Sequence, residues 1–199
     1  MKIGLYFGTF NPIHVGHLII ANHLAEHTDL NQVWMVVTPH NPLKNKDTLL
    51  QDAIRLQLVH LATEDYPKIK PCDIEFQLPQ PNYTVNTLAH LQDKYPKNEF
   101  SLIMGEDNLK SFHKWKNHEV ILENHEIYVY PRVDENGQTN HDGEKYGYKN
   151  YPNVHFVAAP IVEISATFIR NSIKIKKNIQ PLLPGKVWEY IDHNNLYKK

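Results

Sequence analysis

"LYFGTFNPIHVGHL" occupies residues 5–18 and changes character twice within that span. A short apolar run breaks into Gly8-Thr9-Phe10-Asn11-Pro12, and the break leads into a stretch opened by His14 and His17. The apolar run, extended back to residue 2, reads as a strand. Beyond the break, Val15, Leu18, Ile19, Ala21 and Leu24 recur at helical spacing. Gly8 lets the backbone turn and approach a ligand with no Cβ in the way. Pro12 fixes the turn before the helix begins. His14 and His17 lie about one helical turn apart, so both can project to one side of the first turn. Gly16 between them costs helix stability but clears space for close approach. The start of such a helix carries free N–H donors and partial positive charge, which suit a phosphate. From residue types alone, a capped helix with two incidental histidines accounts for the string equally well.

The same alternation continues along the chain. Residues 32–39, 69–78, 99–105, 126–132 and 153–160 read as strands, the second of these weakened by Pro71. Helical patterns cover 14–28, 51–66, 84–96, 165–175 and 185–197. Strands alternating with helices predict an α/β sandwich around a mainly parallel sheet. No repeat or linker divides the 199 residues, so one domain is expected over 1–199, with 133–150 as a polar surface loop and helices closing 165–199. In such sheets ligands sit beyond the carboxyl ends of the strands, and every unusual motif here follows a strand.

Composition narrows the function classes. Apolar residues make up 41% and charged residues 22%, an ordinary globular balance. A formal net charge of -1 gives no global electrostatic case for nucleic acid or an anionic membrane. No apolar run approaches the roughly 20 residues that span a bilayer. The N-terminus reads as a first strand, not a signal peptide, so a cytoplasmic protein is expected. The single cysteine, Cys72, fits a reducing compartment and reads as a small apolar filler. The 13 histidines are scattered without the spacing of a metal site, and none is expected.

A second motif lies near the C-terminus, "EISATFIRNSI" at 163–173. Ser165 and Thr167 are natural caps whose hydroxyls can also donate to phosphate. Arg170 adds a planar, permanently charged donor fork.

Together the two strings resemble the HxGH nucleotidyltransferase superfamily, "GTFNPIHVGH" its first signature and "ISATFIR" its "ISSTxIR". "NYTVNTLAHL" (82–91), "IMGEDNLKSFHKWKNHEVI" (103–121) and "LLPGKVWEYIDHNNLY" (182–197) resemble elements of bacterial nicotinate mononucleotide adenylyltransferases. The resemblance implies a Rossmann-like three-layer fold and adenylyl transfer from ATP to nicotinate mononucleotide, giving deamido-NAD and pyrophosphate. It implies His14, His17, Lys44 and Arg170 as catalytic residues. ATP is expected to meet Gly8, Thr9, Phe10, His14, Gly16, His17, Gly105, Asp107, Ser165, Thr167 and Arg170. For the acceptor the expected residues are Asn41, Lys44, Thr84, Thr87, Asp107, Trp115 and Arg132. Trp115 offers a flat face to an electron-poor ring, and the helix start at Thr84 and Thr87 could receive its carboxylate. Mg²⁺ is expected to arrive on ATP oxygens, since no carboxylate cage is apparent. A homo-oligomer is possible.

Four positions depart from the family pattern. Phe7 stands in place of a glycine, Asn11 and Asn86 in place of Asp, and Ala166 in place of Ser. The rival readings are a nicotinamide mononucleotide or phosphopantetheine adenylyltransferase, a cytidylyltransferase, and a nucleotide-binding regulator or RNA-binding module that kept the fold without the activity.

Overall fold

Six strands form one sheet in the order β3-β2-β1-β4-β5-β6, and each neighbouring pair runs parallel. In the computed structural model, which describes residues 1–39, 49–133 and 147–198, they are β1 (Lys2–Gly8), β2 (Gln32–Val37), β3 (Ile69–Cys72), β4 (Glu99–Gly105), β5 (Ile127–Tyr130) and β6 (Val154–Phe156). The central strands are buried on both faces, which is why β1, β2 and β4 read as continuous apolar runs instead of alternating ones.

Helices cover both faces, as the three-layer expectation requires. On one side α1 (Val15–His27), α2 (Asp52–Thr63), α6 (Ala166–Lys174) and α7 (Gly185–His193) pack on Tyr6, Val33, Met35, Ile103 and Tyr128. On the other, α3 (Thr84–Lys94), α4 (Glu106–Leu109) and α5 (His118–Asn124) close over Leu5, Val36, Leu102, Met104 and Val129. Strand alternation thus sorts neighbouring residues of one strand into two separate cores.

Several elements differ from the sequence expectation. The third strand stops at Cys72, and residues 74–77 turn into a 3-10 helix that buries Glu75. Pro71 is tolerated inside β3 because β3 is an edge strand and needs no partner for the missing N–H on its open side. Along α1 the buried stripe runs through Leu18, Ile20, Ala21, Leu24 and Ala25, while Ile19 is exposed. The short helices α4 and α5 had no periodic signature, because four and seven residues give too few turns to repeat.

Strand order places the site. The chain moves outward from β1 through β2 to β3, then returns to the other side of β1 as β4. Connections leaving β1 and β4 therefore diverge and open a crevice at their carboxyl ends. Gly8 and Gly105 are the last residues of those two strands.

Candidate active site

The turn after β1 is built around Phe10. A Cβ on Gly8 would lie 2.8 Å from the Phe10 ring, so the glycine makes room for an aromatic side chain folding back beneath the turn. Phe10 adopts φ +44°, an unfavourable region for a bulky residue, and is 1% exposed. Its ring meets His17 edge-on at 5.1 Å and Tyr6 at 6.1 Å. The Phe10 side chain thus supports His17 from below instead of facing a ligand.

His14 is the residue before the first turn of α1, with extended backbone angles, and the two imidazoles stack at 3.7 Å. The His14 backbone N–H donates to Nδ1 of His17 at 3.2 Å. With Nδ1 an acceptor, the His17 proton sits on Nε2, which is left as a donor. Burial holds the His14 imidazole down at about 4, helped by the Arg132 charge. Burial likewise lowers His17 well below its ordinary value, with His14 and Arg132 adding to the effect. Both rings are neutral at pH 7. Nδ1 of His14 is buried with no hydrogen-bond partner among the described residues. Gly16 fits the same arrangement, since a Cβ there would meet Val162 at 2.9 Å and the His14 ring at 3.0 Å.

Arg132 follows β5 and reaches the pair from the side. Its backbone N–H donates to Glu106 at 3.1 Å, and its side chain reaches the Tyr130 hydroxyl and the Val162 carbonyl, each at 3.4 Å. Asp107 faces its Nε at 3.8 Å. Gly105 precedes α4, where a Cβ would collide with the Asp107 carboxylate at 2.4 Å.

The second motif meets the first directly. Ser165 caps α6 by accepting the Phe168 N–H at 3.1 Å. Arg170 donates through Nη2 to the Thr167 hydroxyl at 3.1 Å and through Nη1 to the Asn11 carbonyl at 2.8 Å. The structure therefore gathers Gly8, Thr9, Phe10, His14, Gly16, His17, Gly105, Asp107, Arg132, Ser165, Thr167 and Arg170 around the carboxyl ends of β1, β4 and β5.

Acceptor-side residues form a second cluster at the start of α3. Thr84 is its first residue, half-buried. Thr87 is fully buried, its hydroxyl donating to Glu75 at 2.8 Å, so it holds the 3-10 turn in place rather than presenting a donor at the surface. Trp115 is half-buried and meets Phe112 edge-on at 5.5 Å. Lys116 lies 4.3 Å over the Tyr83 ring, tying the Trp115 segment to the helix start. Asn41 and Lys44 lie outside the described residues, as does most of the expected 133–150 loop.

Besides Glu75, two buried charged side chains escaped the sequence reading. Arg55, 0% exposed, donates to the carbonyls of Thr9 at 2.5 Å, Thr38 at 2.8 Å and Leu50 at 3.1 Å, and pairs with Asp52. Its signal was present: Arg55, Leu58, Val59 and Ala62 share one helical face, so the arginine lies on the apolar stripe of α2. Glu106, 3% exposed, had no such signal in a four-residue helix. Among the described residues no group of three or more His, Cys, Asp or Glu converges as a metal cage.

Comparison with known proteins agrees with this arrangement. The Cytidylyltransferase-like family model matches residues 5–172. A relative from Flavobacterium psychrophilum, named "Probable nicotinate-nucleotide adenylyltransferase", is 73% identical over 199 residues, covering 100% of both chains. One of the same name from Christiangramia forsetii is 64% identical, covering 99% of this chain and 98% of its own. A solved Plasmodium falciparum nicotinic acid mononucleotide adenylyltransferase complexed with NaAD superposes with a TM-score of 0.79 at 18% identity, covering 98% of this chain and 97% of that one. The chain belongs to the cytidylyltransferase-like family and, within it, to the nicotinate-nucleotide adenylyltransferases.

The depressed imidazoles set a pH dependence of stability. Unfolded His14 takes a proton near 6.5, folded His14 only near 4, so stability is lost as pH falls through that window. His14's share is about 3 kcal/mol, complete above the window and gone below it. Denaturant unfolding at pH 7 and pH 4.5 should show a smaller difference for His14→Gln than for the unaltered chain. Equal differences for the two proteins would contradict the assignment.

Proposed function

We propose that this chain transfers the adenylyl group of ATP to nicotinate mononucleotide, releasing deamido-NAD and pyrophosphate. The observation that carries the reading is the bond from Arg170 to the Asn11 carbonyl at 2.8 Å, which joins the second phosphate motif to the turn carrying His14 and His17. Family membership over the full chain supports the same reaction.

The acceptor's phosphate oxygen attacks the α-phosphorus of ATP as the bond to the β-phosphate oxygen breaks and pyrophosphate leaves. A phosphate monoester is already an anionic nucleophile at neutral pH, so no general base is required. The protein's work is positioning and stabilising negative charge. His17 does this as a neutral N–H donor from Nε2, fixed in that tautomer by the His14 backbone. The start of α1 adds the partial positive charge of a helix N-terminus at the same place. Arg170, with the hydroxyls of Ser165 and Thr167, is suited to the leaving pyrophosphate, and Lys44 is proposed to assist it. With no carboxylate cage among the described residues, Mg²⁺ fits this site as part of the MgATP substrate.

For the acceptor, the start of α3 carries no acidic residue in its first turn, and Lys116 lies beside it over Tyr83. This locally positive rim favours a ring carboxylate over a ring amide. Trp115 is proposed to stack on that ring.

Pyrophosphate release should be measured with ATP and, in turn, nicotinate mononucleotide, nicotinamide mononucleotide and phosphopantetheine. The nicotinate compound should give a kcat/KM about tenfold or more above the others. Absence of release with it, or faster release with phosphopantetheine, overturns the reading. His17→Ala should raise the barrier by about 2.7–4 kcal/mol, seen as lost kcat at saturating substrate. Near-normal turnover there would falsify the donor role. Trp115→Ala should act on the acceptor alone, raising its KM about tenfold through the lost stacking face; an unchanged KM removes the ring from that surface.

A further inference from the structure

We propose that Tyr197 is a positioning residue for ATP, acting through Asn11 on Arg170. The inference rests on the reading above that ATP phosphates lie at Arg170, and it concerns a residue far in sequence from both phosphate motifs.

Asn11 is 4% exposed and sits where three distant segments meet. Its side-chain oxygen accepts the Tyr197 hydroxyl at 2.7 Å and the Leu50 backbone N–H at 3.3 Å. Its main-chain carbonyl accepts Nη1 of Arg170 at 2.8 Å. The Tyr197 hydroxyl therefore fixes the residue whose carbonyl holds the guanidinium. Without that bond, the buried amide oxygen loses the shorter of these two contacts, 2.7 Å against 3.3 Å. Asn11 is then freer to shift, and with it one of the two anchors of Arg170.

Three further observations point the same way. Tyr197 adopts φ +62°, a left-handed conformation that an aromatic residue takes up only when its surroundings impose it. Tyr197 and its neighbour Leu196 pack against the core that also contains Ile169 and Ile173 of α6. Burial pushes the Tyr197 phenol well up, although Arg170 and Arg55 both act to lower it. The hydroxyl is thus a neutral donor, held among the two arginines that grip the turn.

Titration calorimetry on the full chain separates positioning from general support. ATP and nicotinate mononucleotide are each titrated into the unaltered protein, Tyr197→Phe, Arg170→Ala and the double variant. Tyr197→Phe should weaken ATP about five- to tenfold, the effect of one lost hydrogen bond. Affinity for nicotinate mononucleotide should stay within about twofold. On the Arg170→Ala background, Tyr197→Phe should have no further effect on ATP, because the path runs through Arg170. A chain ending at Leu196 gives the same shift by a second route, which keeps the test sound should the point variant melt early. ATP affinity unmoved by Tyr197→Phe overturns the proposal. So does an equal loss with Arg170 already removed. Absence of ATP binding by the unaltered chain overturns the proposed function and this inference with it.

Discussion

The site depends on one buried cation. Arg55 is fully enclosed, and a guanidinium in that position is tolerated only if its donors are satisfied. They are met by the carbonyls of Thr9, Thr38 and Leu50 and by the Asp52 carboxylate. These partners come from the turn after β1, the end of β2 and the approach to α2. Three chain segments that would otherwise leave the sheet independently are fastened at one point. Breaking such a pair from one side costs roughly 3–5 kcal/mol in other proteins, because the remaining charge is stranded. The cost of burying Arg55 is accepted where the turn must be rigid.

Rigidity matters because the two histidines work without charge. Stacked at 3.7 Å and buried beside Arg132, both rings stay neutral at neutral pH. A neutral imidazole offers only directional hydrogen bonds, so its usefulness depends on where its N–H points. That direction is set by the His14 N–H on Nδ1 and by the Phe10 ring beneath. Strain at Phe10, with φ +44°, is the local cost of this aim. The division of labour follows: neutral donors orient the phosphate under attack, and permanent cations hold the rest.

Much of this was legible in the sequence. Strand and helix alternation gave the layered α/β fold, and the two motifs located the crevice at the strand ends. The reasons assigned to particular residues fared differently. The sequence assigns Gly8 to ligand approach and Gly16 to close approach, and the structure shows each making room for a ring of the protein itself, Phe10 in one case and His14 in the other. Its place near a helix start makes Thr87 a candidate ligand donor, but its helical face turns inward to Glu75. Motifs record which residues a site needs, and only the packing shows whether a residue touches the ligand or the residue that does. Arg55 lies outside every motif and Tyr197 only ends the matched string 182–197, with no role legible there, since each acts on a main-chain or amide oxygen of the turn.

The charge pattern separates the cations further. Arg132 faces Asp107 at 3.8 Å, and its main chain is held by Glu106, so part of its field is already answered by carboxylates. Arg170 differs: its bonds named here go to a carbonyl and a hydroxyl, both uncharged. Asn11 contributes to that difference, because an amide at this position accepts from Tyr197 and Leu50 without adding a negative charge beside the guanidinium. Arg170 thus keeps its positive field for an incoming anion while its geometry is fixed by neutral partners. A carboxylate in place of the Asn11 amide would hold the same donors but draw on that field before any phosphate arrived. Orientation by neutral groups and attraction by a charge with no carboxylate partner among the described residues are therefore supplied by different atoms of one small network, and the network closes on the turn where the sequence first broke from strand to helix.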